Sequence, residues 1–398
     1  MNATATTPAR TVLISGAGVA GPALAYWLRR HGFVPTVVER APALREGGYA
    51  VDFRGEALDV LDRMGLLERI AEQDTEMGDA LLVDGDGRAY ATLPSVVFAG
   101  ELEVLKGDLT RMLYEVTRDG VEYVFGDSVT GLTEDADGVE VTFERGAPRR
   151  FDLVVGADGL HSRTRALVFG PEERYVRHLG IHTAVFGLDN YLGLENTGRL
   201  YAAPGRAANV FTTRADSGAR AAFHFASEGP LEREDRHDRA RQQRLIAERF
   251  ADDGWEIPRL LREMERAADF FFDANAQVEM ETWSKGRVVL LGDAGYCAGP
   301  TSGRGTSQAL IGAYVLAGEL AEAGGDHVAA FAAYERELRG YVTEHQAMGR
   351  EGAERFFGPA PTQEVLDAIA ARAAGQARTA PVRLRDYGLR VARAARVA

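Results

Sequence analysis

The sequence predicts an α/β fold: a parallel βαβ core, interrupted by a mostly antiparallel β-sheet and followed by a C-terminal helical segment. Three observations carry this. A β-branched run, Thr11 to Ser15, leads into a glycine-rich turn, a helical pattern and a second β-branched run that stops at Glu39. Two more apolar runs, 151–155 and 288–291, each end in a Gly/Asp turn. Between them lie short alternating runs broken by Gly, Pro, Asn and Asp, the pattern of antiparallel strands.

Size and composition narrow the classes. A chain of 398 residues, 45% hydrophobic and 26% charged, is long enough for two or three globular domains. Its net charge of −13 argues against a nucleic-acid partner, which needs clustered Lys and Arg, and gives no attraction to an anionic membrane. Cys297 is the only cysteine, so no intramolecular disulfide or cysteine zinc cluster can form, and a reducing compartment fits. The eight histidines lack ligand spacing, so no metal is expected. Met1 to Arg10 has no apolar signal-peptide core, and no run of about 18 apolar residues occurs. The expectation is a cytoplasmic protein without a membrane span, a monomer or homodimer.

The first forty residues are the most informative. Gly16-Ala17-Gly18-Val19-Ala20-Gly21 joins strand to helix, and each glycine has a separate job in holding a dinucleotide. Gly16 permits the tight turn, Gly18 lets the backbone reach a pyrophosphate, and Gly21 lets the helix pack on the strand. Backbone N–H groups from Val19 and Ala20 onward point at the phosphates, helped by the helix dipole. Glu39, 23 residues after Gly16, stands where a carboxylate accepts bonds from ribose hydroxyls, with Arg40 next to it. This is a Rossmann-type unit.

Two later segments repeat the theme. Residues 151–166 read FDLVVGADGLHSRTRA, with Asp158 and Gly159 at the end of a strand. Residues 287–305 read RVVLLGDAGYCAGPTSGRG, with Asp293 after the strand and Pro300, Gly303 and Gly305 in the turn before a helix from about Thr306. Together with the first motif these resemble the class A flavoprotein monooxygenases, the p-hydroxybenzoate hydroxylase and tetracycline-inactivating type, across roughly residues 11–345. The resemblance implies FAD as cofactor, NADPH or NADH as reductant, and O2 as oxidant. It further implies hydroxylation of a small aromatic or polyketide-like substrate through a flavin C4a-hydroperoxide.

The resemblance also assigns residues. Asp293 would bond the FAD ribose, and Asp158 would support the pyrophosphate region and the approach of the nicotinamide. The turn through Pro300, Gly303 and Gly305 would aim helix N–H groups at the flavin's pyrimidine edge. Asp52 is a flavin candidate, and Arg45 and Arg54 are NAD(P)H candidates. Lys106 stands where such enzymes often have Arg; Arg111, one turn on, is an alternative source of that contact. Tyr296 replaces a frequent His. No side-chain base is identified, because the cofactor carries the chemistry.

The expected organisation is discontinuous. Residues 1–79, 101–175 and 275–345 form the FAD-binding domain, 80–100 and 176–274 the substrate domain, and 346–398 a helical segment. Phe186, Tyr201, Phe211, Phe223 and Phe225 suit either an apolar substrate site or the core. Two rivals share the motifs: an FAD-dependent dehydrogenase or reductase on the same fold, and a flavin-binding protein without turnover.

Overall fold

The computed structural model describes residues 10–44, 50–214, 218–229, 238–376 and 382–388. Its first sheet runs in the order 284–285, 288–290, 153–156, 11–15, 34–39, 122–125. All neighbours are parallel except the short edge strand 284–285. Parallel strands covered on both faces read as unbroken apolar runs. That is why TVLIS, LVVG and VVL lack alternation. The register sets Ser15 opposite Gly156, and Gly156 opposite Leu290. The three motifs therefore leave the sheet side by side, at its C-terminal edge, where open α/β sheets bind ligands.

Helices Ala20–Arg30 and Gly305–Glu322 cover one face of this sheet, packing Leu24, Trp27 and Leu28 with Leu310, Tyr314 and Val315. On the other face Leu13, Val38, Val154 and Val288 meet Val129, Val139, Val141 and Phe151 of a small antiparallel sheet.

A second sheet of seven strands has the order 271–278, 176–188, 219–226, 206–211, 198–203, 80–83, 89–93. Its pairings are antiparallel except that between 198–203 and 80–83. Alternation divides its residues. Ala184, Phe186, Val210, Phe223 and Phe225 point to one side, into a core closed by helices Arg239–Arg249 and Ile257–Arg266. Thr183, Asn209, Ala222 and His224, their neighbours in sequence, take the opposite side, with Asp273 paired to Thr183. Phe186, Phe223 and Phe225 are thus core, while Tyr201 bonds Asp253 at 2.6 Å and Phe211 is half-buried.

The sequence places a segment boundary at 345. The structure has one unbroken helix, His327–Phe356. Gly349 and Gly352 are not stops. A Cβ at either would come within 2.1 Å of Ala298 O or 2.6 Å of Thr301 O, so these glycines let the helix press onto the Pro300 turn. Beyond it, helix Gln363–Gln376 places Leu366 against Leu82 and Ala91.

Candidate active site

Three exits from adjacent parallel strands form the site. At the first, Gly16 has φ +110, and a Cβ there would lie 2.4 Å from Ala157 O. A Cβ on Gly21 would lie 2.0 Å from Gly16 O, so only hydrogen fits at either place. Gly18 differs. It is the exposed residue in an otherwise buried turn, and nothing of the protein comes within 4 Å of its Cβ position. Val19 and Ala20, which open the helix, are buried. Glu39 accepts bonds from the N–H groups of Ala17 and Ala41, both at 2.8 Å. It therefore pins the turn itself. Arg40 points to solvent.

At the second exit the Asp158 carboxylate accepts from Thr164 N and Thr164 Oγ1, both at 2.9 Å, and from the hydroxyls of Ser162 and Ser15. With both oxygens bonded inside the loop, Asp158 shapes the turn packed beneath Gly16. Gly159, φ +80, faces open space. Arg165, fully buried, donates to Leu160 O and Ala294 O and so ties the second exit to the third. A buried guanidinium needs such partners. His161 bridges Glu172 at 2.9 Å and Asp273 at 3.6 Å, linking this loop to the open side of the seven-stranded sheet. Asp273, first, and Glu172 push its pKa up to about 9.

At the third exit Asp293, Pro300 and Gly303 are exposed within a buried stretch, and Gly305 begins the helix. Tyr296 turns inward: its hydroxyl lies 2.8 Å from that of Tyr334 and its ring 4.5 Å from Trp283. Burial pushes its pKa up to about 12, so it is a core residue at the place where the resemblance suggests His.

The remaining expected residues separate. Asp52 lies near Gly303, but pairs with Arg54 at 2.6 Å, and Arg54 also donates to Val96 O. Arg54 is buried in that pair, so its charge is engaged within the protein. Burial raises the pKa of Asp52 despite the neighbouring arginine. Lys106 begins helix Lys106–Glu115 and is half-buried. Arg111 does not stand in for it. Five residues turn a helix through about 500°, leaving the two on different faces. Arg111 is 58% exposed and pairs with Asp108. Arg45 lies outside the described residues.

Sequence reasoning missed three side chains next to Gly305. Ser307 and Gln308, in the first helical turn, are 1% and 2% exposed, yet the Ser307 hydroxyl and both amide atoms of Gln308 have no hydrogen-bond partner among the described residues. Arg304 is buried beside them. Buried polar atoms are normally bonded, so these await a ligand with both donors and acceptors. A flavin ring edge has both, and Gly18 leaves room for a pyrophosphate. The residues present fit FAD. Their only sequence signal was polarity at positions where a buried helix should be apolar.

The geometry defines a dinucleotide-binding oxidoreductase site between a parallel and an antiparallel sheet. Comparison with known proteins makes this specific. The FAD binding domain family matches residues 9–349, so the chain belongs to that family, and it is an FAD-dependent monooxygenase. NAD(P)H as co-substrate is typical of the family. A flavin-dependent monooxygenase from an unknown prokaryotic organism is 40% identical over 88% of this chain and 91% of its own length. Another, from Legionella longbeachae, is 38% identical over 87% and 89%. Among solved structures, the tetracycline destructase Tet(55) is 38% identical with a TM-score of 0.86, covering 96% of this chain and 99% of that one. No described helix is long and apolar enough to cross a membrane.

Proposed function

We propose that this protein uses NAD(P)H and O2 to hydroxylate a small aromatic or tetracycline-like polyketide held between the three strand exits and the open side of the seven-stranded sheet. The observation that carries it is the convergence of Gly18, Gly159, Asp293 and Gly303 on one accessible edge, beside the unpartnered Ser307 and Gln308. Bound FAD supplies the oxygen-activating chemistry; the chain binds, orients and shields it. Gly16 to Gly21 and Glu39 hold the dinucleotide end, and Asp293 a ribose. The N-terminus of the helix Gly305–Glu322 meets the ring where charge develops.

On the substrate side, Thr183 and His224 form a pair at 3.0 Å, with the unpartnered Asn209 carbonyl on the same side of the sheet. Burial pushes His224 down to about 4, so it is neutral at pH 7 and serves as a hydrogen-bonding group. Residues 80–100 and 176–274 make up the substrate domain. A reducing, cytoplasmic setting suits the single buried thiol of Cys297.

The test is purified protein incubated with NADPH, 18O2 and a panel of tetracyclines and phenols. One 18O per product molecule with matching NADPH oxidation supports the proposal. Oxidised product without label would replace it with a dehydrogenase, and bound FAD without turnover would replace it with a carrier. Asp293→Ala should lower FAD affinity while apo stability holds; unchanged affinity would remove Asp293 from the site.

A further inference from the structure

The antiparallel pair of strands Ala50–Phe53 and Leu102–Leu105 has one apolar side and one acidic side. Val51, Phe53, Leu102 and Val104 enter the main core, so alternation sends Asp52 and its cross-strand partner Glu103 the other way. That side is covered too: Glu103 is 7% exposed and the Asp52 side chain 13%. Like charges directly opposite each other on paired strands repel, and burial removes the water that would screen them.

The charges around them balance without Glu103. Asp52 pairs with Arg54 at 2.6 Å. Arg304 lies in the field of Asp52 and of Glu101, which also accepts the Gly55 N–H at 3.0 Å. Two arginines thus meet two carboxylates, and Glu103 would be a third anion, with Asp74 near enough to add to the repulsion. Lys106 opens the helix after the strand, half-buried and with an interaction of its own. The hydrogen-bond partner of Glu103 is neutral: the hydroxyl of fully buried Thr75, at 2.6 Å. Burial above all raises the Glu103 pKa to about 7; the Thr75 hydroxyl pulls it down, and Asp52 and Asp74 push it up. Thr75 also joins this place to the seven-stranded sheet. Its N–H bonds Glu103 O at 2.8 Å, and its carbonyl accepts from Arg214 N at 2.9 Å, just past strand 206–211.

We propose that Glu103 keeps a proton at neutral pH and is a positioning residue for Asp52, so that FAD is held by the form of the protein in which Glu103 is uncharged. This rests on the reading above that FAD lies against the turn through Gly303, which Asp52 borders. The proton stays on Glu103 because Asp52, not Glu103, has the paired arginine. With it in place, Asp52 carries the single negative charge that Arg54 matches, and its carboxylate stays fixed beside the turn. When the proton passes to water, two facing carboxylates compete for one arginine. A net negative charge is then added beside a cofactor whose pyrophosphate is itself negative. Losing the proton therefore weakens both the fold and its hold on FAD.

The test follows wild type, Glu103→Gln and Thr75→Val from pH 5.5 to 8.5, by fluorescence titration with FAD and by melting without it. Glutamine copies the protonated carboxyl. Wild-type affinity should fall roughly tenfold across this range, the effect of one added charge at the dielectric of a protein site. Glu103→Gln should keep its low-pH affinity throughout. A carboxyl with its folded pKa raised stabilises fully below its ordinary value of 4.5, and that contribution is lost as pH climbs through about 7. Apo wild type should therefore melt progressively further below Glu103→Gln as pH rises. Thr75→Val removes a donor that favours the ionised form, so its transition should move to higher pH. An infrared band of a protonated carboxyl should appear at pH 6 in wild type and be missing from Glu103→Gln. Wild type and Glu103→Gln changing in parallel with pH overturns the proposal, and so does an infrared band equal in both. If Glu103→Gln does not fold, Thr75→Val decides: a transition that stays put or moves down overturns it. Wild type that binds no FAD at any pH would instead overturn the function from which the inference starts, while apo melting and the infrared band still report the proton on Glu103.

Discussion

The two glycine-rich turns flanking the site, 16–21 and 299–305, use the same residue for different ends. In the first, Gly16 and Gly21 are squeezed by the protein's own backbone, and Gly18 alone opens outward. The closest contacts of those two glycines are with main-chain atoms. In the second, Gly299 and Gly303 bend the chain through φ +81 and +62, and a Cβ on Gly305 would meet nothing closer than 3.8 Å. That bend presents side chains: Arg304, Ser307 and Gln308. The first turn decides that a dinucleotide binds. The second, in the reading proposed above, faces the flavin ring.

The comparison is broken most forcefully at Gly21. An alanine Cβ would stand 2.0 Å from Gly16 O, which is backbone and cannot swing aside. Overpacking of this kind costs roughly 1–3 kcal/mol or more, so Gly21→Ala should unfold well below wild type in the absence of FAD. Gly18→Val is the contrast. Its Cβ would meet no protein atom within 4 Å, so its apo melting curve should match wild type while bound FAD disappears from the purified protein. If the two variants lose stability alike, the distinction between packing glycine and ligand glycine is wrong.

Glu39 lies between these extremes, because it serves the turn as well as the ligand. Glu39→Ala removes the acceptor of two N–H bonds at 2.8 Å. Hydrogen bonds to a charged group contribute about 1.5–3 kcal/mol each. Apo stability and FAD affinity should therefore fall together, affinity by roughly 10- to 150-fold. Glu39→Gln, which keeps one carbonyl acceptor, should fall halfway on both measures. Loss of affinity at wild-type apo stability would show that the Ala17 bond contributes nothing.

How much of this was legible in the sequence follows the same division. The three strand exits were readable because main-chain approach needs glycine, and glycine is visible in a sequence. Gly16, Gly18, Gly21, Gly303 and Gly305 stand where the spacing placed them. The side-chain half was harder. Arg111 was assigned by nearness along the chain, yet the helix turns it into solvent. Arg54 is an NAD(P)H candidate by sequence, and only the structure shows that Asp52 and the Val96 carbonyl hold it. Gly349 and Gly352 look like breakers within a helical pattern, and only the approach of Ala298 and Thr301 shows why the helix keeps them. Ser307 and Gln308 carry information only once their burial is known. Alternation on strands 183–186 and 222–225 could have sorted His224 from Phe223, but only after the covered side of the sheet was known.

The smallest effect tests how the loop after Asp158 is joined to the seven-stranded sheet. His161 spans Glu172 and Asp273, and those partners raise its pKa from 6.5 to about 9. The folded protein therefore keeps the imidazolium where an unfolded chain would lose it. A group with its folded pKa raised stabilises fully below about pH 6.5, and that contribution is lost as pH climbs through about 9. The side chain is 45% exposed, so solvent screening keeps the tie under about 1 kcal/mol. Wild type should thus melt about one degree above His161→Gln at pH 6, with the gap closing by pH 9.5. Asp273→Asn should behave likewise, because the charge is lost from the other end. Parallel melting profiles across this range would mean that His161 is a neutral contact whose charge does not help to join the loop to the sheet.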